Sequence, residues 1–154
     1  MCLGSDRGLD RGGVEMEEGT SARGYGRGKA LNDLLDSLIG ASADFEGALI
    51  VSLDGLVFAT AWSSADPSER LQVLDESDIG AVACRAFSQG DQATGLLERG
   101  ELERLILVGS RGNMIITRAG HGSLCVALLK PEAKLGAASF EAVRISQVVA
   151  EVLG

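Results

Sequence analysis

Apolar side chains recur at intervals of three and four residues near both ends of the chain, which is the spacing of one face of an α-helix. The first set ends at Ile39, and Gly40 follows where a helix commonly ends. The two sets are Leu31, Leu34, Leu35, Leu38 and Ile39, and then Ala138, Ala142, Ile145, Val149 and Val152. The pattern therefore predicts a first helix near residue 31 and a last helix at the C-terminal end.

Short runs rich in branched and aromatic side chains lie between these helices. They predict five strands, over residues 47–52, 56–61, 101–110, 114–119 and 123–130. Asp54-Gly55 separates the first two runs, and an Asp-Gly pair between apolar runs is a strong hairpin signal. The last three runs are joined by 111–113 and 120–122, connections so short that neighbouring strands must be antiparallel.

A second, longer helix is predicted between the two groups of strands. The segment 66–69 reads Asp-Pro-Ser-Glu, which is typical of a helix N-terminus, and the helix is expected to end near Leu97. Asp75, Glu76 and Asp78 add negative charge where a helix N-terminus favours it, so we interpret them as capping residues and not as a cation site.

Both faces of the sheet must be covered, because runs 105–108 and 124–129 are continuously apolar and do not alternate. Only the helices can provide that cover. The sequence predicts an α/β (α+β) fold in the order α-β-β-α-β-β-β-α, with a five-stranded antiparallel sheet sandwiched between helices.

The chain has 154 residues, of which 45% are hydrophobic, and this suits one domain with a tail. Eight of the 21 glycines fall within the first 28 residues, which is the composition of a flexible segment. We therefore expect a tail over residues 1–28 and a folded domain over 29–154.

The net charge of -8 opposes binding to nucleic acid and to anionic lipid. No segment approaches the length of a membrane span, so membrane insertion is not expected. The three cysteines form no Cys-x-x-Cys pair, which favours a reducing, cytoplasmic setting, and Cys84 and Cys125 are expected to be buried thiols.

Enzyme chemistry is not indicated by the sequence. The glycine-rich segment 24–29 follows no predicted strand and lacks the Ser or Thr of a phosphate-binding loop. His121 is the only histidine. A catalytic pair with Ser123 would require an orienting acid, which the sequence does not indicate. No catalytic residue, metal site or cofactor is predicted. Trp62 fits equally a core residue or an exposed anchor for a partner.

The long helix carries two distinctive faces. One is a strip of small residues, which permits close approach of a second helix while larger neighbours such as Ile79, Val82 and Phe87 pack on the chain's own sheet. The other is a polar stripe, which fits either solvent or a partner. The small strip is Ala83, Ala86, Gly90, Ala93 and Thr94, and the polar stripe is Asp78, Arg85, Ser88, Gln89 and Gln92.

Four features occur in the order found in a known family. They are the leucine-rich segment 31–35, the hairpin 47–59, the alanine-rich long helix, and the last strand 122–129 followed by Leu135-Gly136. With these features the chain resembles the Roadblock / dynein light chain family across nearly all of residues 30–153. Among its members the sequence is most similar in type to the bacterial Mgl-type regulators, which bind a small Ras-like GTPase and speed its hydrolysis of GTP.

The resemblance implies a homodimer in which the second helices pair and the third strands meet at their edges. The interface implied is Ala83, Ala86, Phe87, Gly90, Ala93, Thr94, Leu105 and Leu107, with the polar stripe contacting a GTPase. The chain is then a regulator that orders the switch loops of its partner and is not itself an enzyme. Two alternatives stay open: a scaffold or motor light-chain-type subunit, and a small-molecule sensor of the profilin-like or PAS-like kind.

Overall fold

The computed structural model describes residues 14–63 and 75–154. The elements are α1 (Val14–Ala41), β1 (Phe45–Ser52), β2 (Val57–Trp62), α2 (Glu76–Leu96), β3 (Arg104–Gly109), β4 (Gly112–Arg118), β5 (Ser123–Leu129) and α3 (Leu135–Leu153). The chain divides into two compact units, one ending at Ala30 and one from Leu31 to Gly154. The sheet lies in the second unit.

The five strands form one antiparallel sheet in the order β2-β1-β5-β4-β3. The predicted element order and fold class are confirmed. The hairpin turn lies where Asp54-Gly55 places it, and Gly55 has a φ of 93°, a conformation that favours glycine. Since β5 is central, β2 and β3 are left as the two edges.

Each face of the sheet has its own buried cluster, because successive side chains of a strand point to opposite faces. One cluster joins Leu35 and Leu38 of α1 and Ile145 and Val149 of α3 to the strands. The other cluster covers the opposite face and is built on α2. Its members are Leu49, Val51, Ile79, Ala83, Phe87, Ile116, Leu124, Val126 and Leu128. The helices therefore cover both faces, as the apolar strands require.

The start of α2 shows how the acidic residues are used. Asp75 is the N-cap, and its Oδ1 accepts from the Asp78 N–H at 2.9 Å, while Asp78 Oδ2 accepts from the Asp75 N–H at 3.4 Å. The capping role predicted for Asp75 and Asp78 is thus confirmed. The start predicted at 66–69 lies outside the described residues.

Part of the N-terminal segment is helical in the described residues. Residues 14–28, expected to be part of a flexible tail, lie within α1. Glycine disfavours a helix by about 1 kcal/mol per residue, which biases a segment without forbidding the helix. Residues 1–13 lie outside the described residues, so a domain boundary at Lys29 stays a prediction. Among the described helices, none is both long enough and apolar enough to cross a bilayer.

Candidate functional site

Strand β3 is an exposed edge. Every residue from Arg104 to Gly109 is exposed except the half-buried Leu105. Three consecutive aliphatic side chains face solvent, with exposed fractions of 40% for Ile106, 41% for Leu107 and 71% for Val108. An apolar edge strand of this kind is a template for pairing with another chain.

The backbone of β3 presents a row of groups that β4 does not use. The Arg118 N–H donates to the Glu103 carbonyl at 3.1 Å, which makes these residues a hydrogen-bonded pair. Such pairs alternate along an antiparallel ladder, so the backbones of Leu105 and Leu107 face β4. The N–H and C=O groups of the intervening residues point to the open edge. Those residues are Arg104, Ile106 and Val108.

The polar stripe of α2 is exposed along its whole length. Asp78, Arg85, Ser88, Gln89 and Gln92 all face solvent. The α2 helix projects this face on the side opposite to its buried residues, such as Ile79 and Phe87. The predicted stripe is therefore accessible to a partner, with Asp78 also engaged in the cap.

Three residues of the predicted dimer interface, Ala83, Phe87 and Gly90, lie against their own chain. Ala83 and Phe87 are 0% and 3% exposed because they pack on the sheet of their own chain, so they are not available to a second helix. A Cβ on Gly90 would lie 2.8 Å from Leu102 Cδ2, so the space at this glycine is taken by the same chain. The sequence showed the small side chains but not what fills the space beside them.

The other predicted interface residues lie at or near the surface. Ala93 and Leu107 are exposed, and Ala86, Thr94 and Leu105 are half-buried. The structure therefore leaves five of the eight predicted residues available for contact.

Sequence reasoning also missed an apolar row on the exposed side of α2. Val82 was expected to pack on the sheet, but 36% of it is exposed, and Leu96 is 81% exposed. With the half-buried Ala86 and the exposed Ala93 they lie at spacings of four, seven and three residues, the seam spacing of paired helices. These intervals between apolar residues were a signal that could have found the row.

Trp62 is used within its own chain. Its indole Nε1–H donates to Glu76 Oε2 at 2.8 Å, and its ring fills the space beside Gly47, where a Cβ would lie 2.5 Å from the ring. It packs against the cluster under α2. Of the two readings of Trp62, the structure favours packing within the chain.

The two described thiols, Cys84 and Cys125, favour their protonated form. Burial raises the pKa of the Cys125 thiol to about 11, although hydrogen bonds with Ser146 and Thr117 lower it. Burial also raises the pKa of the Cys84 thiol, whose Sγ donates to the Ser52 carbonyl at 3.1 Å. Cys125 is buried as predicted, whereas Cys84 is only half-buried.

Other candidate chemistry is sparse in the described part of the chain. His121 is exposed and Ser123 is buried, in the turn and strand predicted for them. Residues 14–63 and 75–154 contain no group of three or more His, Cys, Asp or Glu side chains able to hold a metal ion. A cleft of about 580 Å³ lies between the α2–β3 connection, β4 and α3. Its polar lining includes Arg99, Glu101 and Gln147.

Comparison with known families identifies the family of this chain. The sequence model of the Roadblock/LC7 domain matches residues 31–128, which reach from the apolar part of α1 to the end of β5. The chain belongs to the Roadblock/LC7 family. A comparison with curated protein sequences gave no match.

Solved structures of Roadblock/LC7 domains and of MglB proteins share the fold. "MglB with tetrameric arrangement" is 16% identical with a TM-score of 0.73, covering 82% of this chain and 89% of that one. The gliding protein MglB of Thermus thermophilus is 18% identical with a TM-score of 0.70, covering 84% and 90%. A Roadblock/LC7 domain from Streptomyces avermitilis is 20% identical with a TM-score of 0.68, covering 79% and 96%.

Proposed function

We propose that this Roadblock/LC7 protein is a cytoplasmic, homodimeric regulatory adaptor that binds a small Ras-like GTPase. The observation that carries the proposal is the open β3 edge, which is regular and apolar and lies in the same unit as the exposed face of α2. Membership of the family and the structural likeness to MglB proteins support a regulatory role of this kind.

The free backbone groups of β3 determine how two copies would pair. The outward groups belong to Arg104, Ile106 and Val108, and a two-fold axis through Ile106 uses all of them. Ile106 then lies opposite itself, and Arg104 opposite Val108 of the second copy. The product is one continuous sheet of ten strands, five from each copy.

The GTPase would contact the polar stripe of α2. Arg85 and Gln89 lie in the middle of this exposed face, where long polar side chains can reach a partner without disturbing the core. We infer that they contribute binding energy. The dimer places two such faces on one side of the sheet, since both α2 helices cover the same face.

Any acceleration of GTP hydrolysis would come from ordering the partner's switch loops, with no side chain donated to the reaction. An inserted arginine contributes about 10³ to 10⁵ in rate and needs reach and a mobile base. Arg111 is in the two-residue turn between β3 and β4, and Arg85 is on a regular helix. Arg70 lies outside the described residues. Neither described position provides a mobile base.

A scaffold without effect on hydrolysis would use the same two surfaces, so only hydrolysis measurements separate it from an activator. For the sensor alternative, the candidate ligand-binding site is the cleft of about 580 Å³. The edge and the helix face favour protein partners, because they are exposed surfaces and not enclosed pockets.

The experiment uses the whole chain as bait in a native lysate. The lysate is supplemented either with GDP or with a nonhydrolysable GTP analogue. We expect a Ras-like GTPase to be retained in one nucleotide state and to bind the Arg85→Ala and Gln89→Ala variants at least about tenfold more weakly, the scale of a contact worth 1.4 kcal/mol. Arg144→Ala, which removes another exposed arginine, on α3, serves as the control.

Hydrolysis is then followed in single turnover with saturating protein. Arg111→Ala should leave the saturated rate unchanged. A loss of about a thousandfold with binding intact would show a donated arginine. Failure to retain any GTPase in either nucleotide state would contradict the adaptor function.

A further inference from the structure

The start of β3 is held by an arginine from the neighbouring strand. The Arg118 Nε–H donates to the Leu102 carbonyl at 3.1 Å, and its Nη2 lies 3.4 Å from Asp91 Oδ1 on α2. The guanidinium also sits over the ring of Phe87, 5.2 Å from its centre. One side chain thus connects β4, α2 and the segment that leads into β3.

Leu102 is held by these side chains in place of strand pairing. Its N–H donates to the same Asp91 Oδ1 at 2.8 Å, so both of its backbone polar groups are bound by side chains. Its own side chain fills the space beside Gly90. We call these four residues, Gly90, Asp91, Leu102 and Arg118, the clasp.

The position of the clasp matters because β3 is an edge. A central strand is aligned by neighbours on both sides, whereas β3 pairs only with β4. Its placement relative to α2 therefore depends on how its ends are held. Leu102 lies two residues before Arg104, the first residue of β3.

We infer that Arg118 is a positioning residue for self-association. Through the clasp it holds the free backbone groups of Arg104, Ile106 and Val108 at a fixed place relative to the apolar row of α2, so that the edge and this row meet a second copy together. The inference rests on the homodimer of the proposed function. The Arg118 and Asp91 side chains are 25% and 44% exposed, and ion pairs this exposed contribute little to global stability.

The test compares dimer dissociation constants by analytical ultracentrifugation. Arg118→Met retains an apolar stem beside Phe87 and removes both donors. We expect the dimer to weaken by about two- to thirtyfold, the range for residues that couple packed elements without touching the ligand. The melting temperature of the monomer at high dilution should change little. Arg118→Lys should restore part of the affinity, since an ammonium can reach Asp91 or the Leu102 carbonyl but not reproduce the fork.

Two further variants complete the design. Arg144→Met is the matched control, because it breaks an exposed Arg–Glu pair on α3, where Nη2 lies 2.9 Å from Glu141 Oε2. It should leave the dissociation constant unchanged. Asp91→Asn keeps an acceptor for the Leu102 N–H while removing the charge, and should weaken the dimer less than Arg118→Met. If Arg118→Met does not fold, Asp91→Asn and Arg118→Lys decide the question by the same measurement.

The outcomes separate two failures. A wild-type chain that stays monomeric at all concentrations contradicts the homodimer itself. A wild-type dimer whose dissociation constant is the same in the clasp variants and in Arg144→Met leaves the homodimer standing and overturns the role of Arg118.

Discussion

The two edges of the sheet differ in regularity. β3 pairs with β4 in unbroken register from Arg104–Thr117 to Gly109–Gly112. β2 pairs with β1 through an irregular step between Ile50 and Val51, and Phe58 falls at this step. A bulge bends and twists a strand, and this is one of the ways in which proteins blunt an edge against pairing.

The faces beside the two edges differ as well. At the β2 end, Trp62 packs against Gly47 and is anchored by its hydrogen bond to Glu76 of α2. At the β3 end, Leu107 on the same face of the sheet is 41% exposed. An edge position does not by itself make a strand a docking site. A regular ladder and uncovered aliphatic side chains are needed together, and β3 has both.

Ile106→Lys should weaken the dimer more than the other changes considered, since it places a charge at the centre of the pairing edge. Each copy loses up to about 1 kcal/mol of apolar burial in the dimer, because only the exposed 40% of Ile106 is left for a second copy to cover. Two ammonium groups directly opposite each other add about 1 kcal/mol of repulsion. Together these terms weaken the dimer by about a hundredfold. Sedimentation velocity over a range of concentrations reports the change.

Phe58→Lys is the matched variant on the other edge, where the side chain is 44% exposed. It should leave the dimer dissociation constant unchanged. A dimer that survives Ile106→Lys and dissociates with Phe58→Lys would reverse the assignment of the two edges.

Local signals in the sequence were sufficient for most of the fold. The Asp54-Gly55 turn, the apolar strand runs and the periodicity of α3 each depend on neighbouring residues, and the structure agrees with them. The polar stripe was also found, because a regular helix separates its faces by spacing alone.

What the sequence could not show depends on contacts distant along the chain. Spacing on α2 placed Gly90 in a strip for a partner helix, but Leu102 occupies that space. Spacing also grouped Val82 with the core side chains, although 36% of it is exposed. The open edge of β3 follows from the strand order, which no local pattern specifies.

Alkaline pH should destabilise the sheet through a thiol on its central strand, β5. Burial raises the pKa of Cys125 on β5 to about 11 from an ordinary value of 9.0. Above pH 9 the unfolded chain loses this proton while the folded chain keeps it. Unfolding free energy should therefore fall by about 1.4 kcal/mol per pH unit until the folded thiol titrates near pH 11.

Urea titrations between pH 8 and pH 11 measure this slope, with Cys125→Ala as the control that should lack it. Because β5 is central, the loss should affect the whole sheet and not one edge. Equal slopes for the two proteins would show that Cys125 is not the group responsible.

Removing residues 1–28 should have the smallest effect on either edge. The glycines of this segment raise the entropy cost of ordering it, and the sheet with both edges lies in the unit that begins at Leu31. The truncated chain should keep the melting temperature and the dimer dissociation constant of the full chain. A large loss of stability in a thermal melt would show that the segment contributes to the folded domain.

Oxidative cross-linking of single cysteines tests the pairing of β3 edges most directly. The background is Cys2→Ser with Cys84→Ser, which leaves the buried Cys125 as the only native thiol. A two-fold axis through Ile106 brings the two Ile106 Cα atoms to about 5.5 Å, within reach of a disulfide. Val108 is the control on the same face, since its copies would lie four residues apart, about 14 Å.

Ile106→Cys should form a covalent dimer under mild oxidation, seen as a doubled mass on nonreducing gels. Val108→Cys should stay monomeric in mass even though its position is more exposed, at 71% against 40%. Phe58→Cys, on the β2 edge, should also fail to cross-link. Efficient cross-linking of Phe58→Cys, with none for Ile106→Cys, would contradict the claim that this protein dimerises through β3.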